Sequence, residues 1–93
     1  MNRKEAEDIA NEVASRYRAR PRAELLRYLN EQDVFEVVGP TGTRYQIEVQ
    51  AFWDDRDGNN LRVSIGIDDG GFSAFHPLLA DFIVSPDGRF IGE

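Results

Sequence analysis

The chain has 93 residues, 41% of them hydrophobic and 30% charged, with 11 Lys and Arg against 17 Asp and Glu for a net charge of −6. That length supports one hydrophobic core and therefore one domain, spanning 1–93. The absence of cysteine excludes disulfide scaffolds, thiolate metal sites and thiol nucleophiles.

The first thirty residues read as helix. Asn2 and Glu5 have capping-box spacing, and Ala6, Ile9, Ala10, Val13 and Tyr17 recur along one helical face. Pro21 places a break or kink near Arg20, because proline fits the first turn of a helix and not its interior. A second short helix is expected over 21–30, with Leu25, Leu26 and Leu29 as its apolar stripe.

From 33 onward the period changes to two. A short strand over 34–38 leads to the turn residues Gly39-Pro40-Thr41-Gly42. Tyr45, Ile47, Val49, Ala51 and Trp53 then alternate with Arg44, Gln46, Glu48, Gln50 and Phe52, and Leu61, Val63, Ile65 and Ile67 alternate with polar residues. Further strands are expected over 72–76, interrupted by Pro77, over 81–85 and over 89–91. The pattern predicts an α+β domain: 1–30 helical, as one kinked helix or a helix pair, packed on one face of a mostly antiparallel sheet of four to five strands built from 33–93. The expected core wall is Tyr45, Ile47, Val49, Trp53, Leu61, Val63, Ile65 and Ile67, covered by Ile9, Val13, Leu25 and Leu29.

Charge is distributed unevenly. Residues 1–30 carry seven basic and five acidic side chains, and residues 31–93 carry four and twelve. The acidic β-rich part repels polyanions and anionic membrane surfaces. Arg16, Arg18, Arg20 and Arg22 would not form one stripe on a helix, so neither nucleic acid nor membrane is the expected partner. No apolar run approaches the ~20 residues needed to span a bilayer. The charged N-terminus lacks a signal-peptide core, so a cytoplasmic location is expected.

Candidate chemistry is sparse. Asp55-Arg56-Asp57-Gly58 resembles the middle of a calcium loop, but Trp53 and Ser64 would occupy its first and last ligand positions. Asp54 and Asp55 are expected at the end of the strand 61–67 opposite to Asp68 and Asp69, too far apart to act as one acidic site. His76 with Asp81 and a nearby serine is the alternative for a small enzyme or ligand-binding protein, although no nucleophile-elbow pattern is present. No phosphate-binding glycine motif occurs. No metal and no cofactor is expected.

The aromatic residues point elsewhere. Phe52 projects opposite Trp53, and Phe72 and Phe75 fall on opposite faces of their segment. A sheet covered on one side only leaves some of these exposed as a contact surface, unless 77–91 folds over them as a second lid. Trp53-Asp54-Asp55, Ile67-Asp68-Asp69-Gly70-Gly71 and the closing Asp81-Phe82-Ile83-Val84-Ser85-Pro86-Asp87-Gly88-Arg89-Phe90-Ile91-Gly92-Glu93 together resemble a group of small uncharacterised bacterial proteins. The resemblance covers 34–93 and implies a shared turn-and-strand fold; it implies no reaction.

The expected function is a small acidic protein-binding module that is not an enzyme, one form of which is an immunity- or antitoxin-like protein. Phe52, Phe72 and Phe75 would anchor its partner, and Asp54, Asp55, Asp68 and Asp69 would steer it. The expected state is a monomer or weak homodimer, and a third reading is homodimerisation through an open sheet edge.

Overall fold

The computed structural model describes residues 1–71 and 77–92. The expected strand over 72–76, with Phe72, Phe75 and His76, lies outside the described residues.

Helix α1 runs Arg3–Arg18. Asn2 caps it, its side-chain oxygen accepting from the Glu5 amide at 3.1 Å. Arg3–Glu7, Lys4–Asp8 and Glu12–Arg16 pair four residues apart on the solvent side. Ala6, Ile9, Ala10, Val13 and Tyr17 are buried beneath. The chain leaves the helix at Ala19, and Pro21 is extended, with φ −65° and ψ 150°. The helical region is therefore a broken pair. The second piece is shorter than the periodicity predicts: α2 covers only Arg22–Leu25 and tightens into a 3-10 turn over Leu26–Leu29. Three residues per turn bring Leu25 and Tyr28 to one side. These two are fully buried, whereas Leu26 and Leu29 sit at the margin of the core.

Five antiparallel strands form a meander in chain order: β1 Asp33–Val38, β2 Arg44–Trp53, β3 Leu61–Asp68, β4 Leu78–Val84 and β5 Phe90–Ile91. α1 lies over β3 and β4, and the 3-10 turn over β2. The fold is thus one helical layer on one face of a five-stranded sheet. Tyr45, Ile47, Val49, Ala51, Leu61, Val63, Ile65 and Ile67 form the inner wall, completed by Phe82 and Val84.

Two expectations are corrected, and one open alternative is decided. Trp53 is on the inner side by alternation but 40% exposed, because the helical layer does not extend over this end of β2. Its ring instead covers the Gly58 turn and faces the Arg22 guanidinium at 5.8 Å, and Ala51 ends the buried wall. β4 begins at Leu78, three residues before the expected 81. Pro77 stands just ahead of the strand, where its missing N–H costs no ladder bond. Finally, 78–91 does not fold over the second face. Ile65 pairs with Ala80, Leu61 with Val84, and Val84 with Phe90, so these residues widen the sheet.

Candidate functional site

Because β4 and β5 continue the sheet, its outer face lacks a covering layer among the described residues. The strand register sets its composition row by row. One row reads Val34, Glu48, Gly66, Leu79, and another Phe52, Arg62, Ile83, Ile91. Between them stand Gln50, Ser64 and Asp81. Glu36, Gln46 and Asp68 form the row beyond. Val34, Val38, Phe52, Leu79 and Ile91 are all exposed, with Phe52 at 46% and Leu79 at 64%. Two other large apolar side chains are exposed among the described residues: Met1 and the loop-covering Trp53.

The charged side chains of this face are unequally paired. Arg62 is held between two carboxylates, with Nη2 2.6 Å from Asp54 and Nη1 2.6 Å from Asp81. Hydrogen bonds to Asp54 and Asp81 raise its pKa and keep it charged. Arg44 lies 3.6 Å from Glu36. Glu48 is met by the neutral Gln32 amide at 3.4 Å. Asp68 accepts the Gly70 amide at 2.9 Å. Negative charge is in excess here.

The aspartates expected to steer a partner have other tasks. Asp54 is committed to Arg62. Asp55 accepts the Asn59 and Asn60 amides at 3.0 and 2.9 Å, closing the 54–60 loop, and the Asn60 bond leads the lowering of its pKa. Asp69 accepts the Gly71 amide and lies 3.7 Å from the Met1 amino group. The eight residues of β3 separate Asp54 and Asp55 from Asp68 and Asp69 by roughly 23 Å at ~3.3 Å per residue. Of the expected residues that are described, Phe52 and Asp68 stand in the strands of the open face, and Asp54 joins its margin through Arg62. Asp81, the orienting carboxylate of the alternative with His76, is held by Arg62.

Two polar clusters were invisible to periodicity. Glu5 does not return to its own helix as a capping box would. Its carboxylate accepts the Thr41 amide at 3.2 Å, the Thr41 hydroxyl at 2.8 Å and the Tyr45 hydroxyl at 2.8 Å, fastening α1 to the β1–β2 hairpin. Burial would raise its pKa, but the hydrogen bonds from Thr41 and Tyr45 prevail and lower it. At the other end of α1, Asp33 Oδ2 accepts both the Tyr17 hydroxyl at 2.6 Å and the Tyr28 hydroxyl at 2.7 Å. Arg20 reaches the Tyr28 hydroxyl at 2.6 Å and stacks 4.1 Å from the Tyr17 ring. Burial again opposes ionisation of Asp33, and the two tyrosines with Arg27 and Arg20 outweigh it. Both tyrosine pKa values are raised, by burial first and then by the carboxylate. These are satisfied clusters that lock elements together.

The N-terminal arginines are likewise engaged. Arg18 stacks 4.3 Å from the Phe90 ring centroid, and Arg22 donates to the Asn59 carbonyl at 2.8 Å. Among the described residues no three His, Asp or Glu side chains gather closely enough to hold a metal ion, and no helix is long and apolar enough to cross a membrane. No protein-family model matches the chain, and neither a curated protein nor a solved structure matches it.

Proposed function

We propose that this chain is a non-enzymatic protein-binding module of the cytoplasm, and that the uncovered face of its sheet is the contact surface. One observation carries the reading: the exposed apolar side chains are concentrated on one face, where Val34, Val38, Phe52, Leu79 and Ile91 stand among carboxylates. Exposed apolar side chains gathered on one sheet face and interspersed with charge support a contact surface with an apolar and an electrostatic component. Five carboxylates (Glu36, Glu48, Asp54, Asp68, Asp81) against two guanidiniums (Arg44, Arg62) favour a basic partner and disfavour nucleic acid or an anionic membrane. An immunity- or antitoxin-like role, in which this face caps a basic enzyme, fits that chemistry. Phe52 is its anchor, since aromatic residues dominate the energetics of such contacts.

The test is affinity capture from the native lysate with wild type and with Phe52→Asp. Phe52 is 46% exposed within β2, so Asp there should cost about 1 kcal/mol; an unchanged circular-dichroism spectrum and a cooperative melt certify the fold. A basic protein retained by wild type and lost by Phe52→Asp supports the reading; equal retention by both refutes it.

A further inference from the structure

Gly66 is the one glycine inside a strand of this sheet, and nothing in its backbone calls for glycine. It does not have a positive φ. A Cβ built there would meet Leu79 Cδ2 at 3.6 Å and the Glu48 carbonyl at 3.9 Å, ordinary contacts. Glycine weakens a strand interior and is found where something approaches the backbone closely. Here its missing side chain opens a notch of about 150 Å³ in the outer face, walled by Glu48, Gln50, Ser64, Asp68, Pro77 and Leu79. A cavity of about this size admits a molecule as large as benzene.

The register explains how the notch is furnished. Glu48 stands across from Gly66 on β2, Leu79 across from it on β4, and Ser64 and Asp68 flank it along β3. Ser64 is only 9% exposed, and its hydroxyl has no hydrogen-bond partner among the described residues. Ser64 lines the notch, where its hydroxyl can accept from a donor that enters. Above it stand two carboxylates without a cationic partner among the described residues, and an aliphatic wall.

We propose that the Gly66 notch is a socket for the side chain of one lysine on the basic partner protein. Its methylenes lie over Gly66 against Leu79 and Pro77, and its ammonium is shared by Glu48, Asp68 and the Ser64 hydroxyl. Three convergent acceptors suit a compact ammonium with three rotatable donors better than a planar guanidinium. A second copy of this chain is a poor source, because its one lysine, Lys4, is paired with Asp8 at 3.0 Å. The assignment rests on the open face being the contact surface, and it names the chemistry that face selects.

The experiment has two arms. In the first, the 15N-labelled chain is titrated with n-butylammonium, and with n-butanol as the uncharged control. The amide signals of Ser64, Gly66 and Glu48 should respond saturably to the ammonium alone, and Glu48→Gln should weaken the response severalfold. Gly66→Val, which suits a strand and fills the notch, should abolish it with the melting temperature held or raised. Absence of a response, an equal response to butanol, or undiminished binding by Gly66→Val overturns the socket. In the second arm, lysines of the lysate proteins are acetylated before capture, which removes their charge. Loss of the captured protein supports a lysine occupant. A notch that binds butylammonium while capture survives acetylation overturns that assignment. No socket response together with Phe52-dependent capture would reject the socket and leave the open face standing; no capture at all would reject the open face and the lysine with it.

Discussion

Glu5 and Asp33 show how single carboxylates hold this small domain together. Gly39 lies so close to Glu5 that an added Cβ would come within 2.7 Å of its carboxyl carbon. Gly39→Ala must therefore displace the carboxylate from Thr41 and Tyr45. Overpacking of this kind costs about 1–3 kcal/mol, expected as a fall in melting temperature of about 5–20 °C by calorimetry. Both carboxyls have folded-state pKa values below their ordinary values of 4.5 for Glu5 and 3.8 for Asp33. A lowered pKa contributes stability that is complete above the ordinary value and disappears as pH falls through the folded one. Urea unfolding from pH 7 down to about pH 2 should show stability lost below about pH 4.5, with a shallower loss in Asp33→Asn. An identical slope in that variant would assign the acid sensitivity to other groups.

At the scale of elements, the last two strands decide which face stays open. Phe82 is buried under α1 and meets the Phe90 ring edge-on at 5.9 Å, with Arg18 over the pair. Phe82→Ala removes the side chain that fixes β4 beneath the helix and should cost about 3–5 kcal/mol, read as a lower denaturant midpoint. The alternation over 45–53 and 61–67 made β2 and β3 plain in the sequence, because a strand with one wet face writes its period directly. The same alternation could not say where the helices stop, so Trp53 seemed to belong to a wall that ends at Ala51. Nor could it say where β4 begins, because the apolar run Leu78-Leu79-Ala80 hides the period behind Pro77. Tyr28 went unnoticed for a related reason: its burial depends on the 3-10 turn, and a four-residue change of pitch carries no periodic signal. Phe52 was legible as an outward aromatic. The notch at Gly66 was not, since a glycine in a strand can equally mark a bulge.

For the molecule as a whole, charge follows architecture. The N-terminal layer bears the basic excess and the outer sheet face the acidic one, so the domain is electrostatically two-sided. A basic partner is drawn to one side only, and the effect should appear in the association rate more than in dissociation. Glu48→Lys is expected to slow association severalfold at low ionic strength and to flatten its dependence on salt, because the attraction is screened beyond ~10 Å at 0.1 M. Stopped-flow or surface-based kinetics across a salt series reads both. The central claim is that partners meet the sheet and not the helices, and hydroxyl-radical footprinting of the chain alone and with its captured partner tests it most directly. The account predicts that oxidation of Phe52, Leu79, Val34 and Ile91 falls on complex formation while Met1 and Trp53 are oxidised as before. Protection confined to Met1, Trp53 or the exposed residues of α1, with Phe52 and Leu79 unchanged, would contradict it.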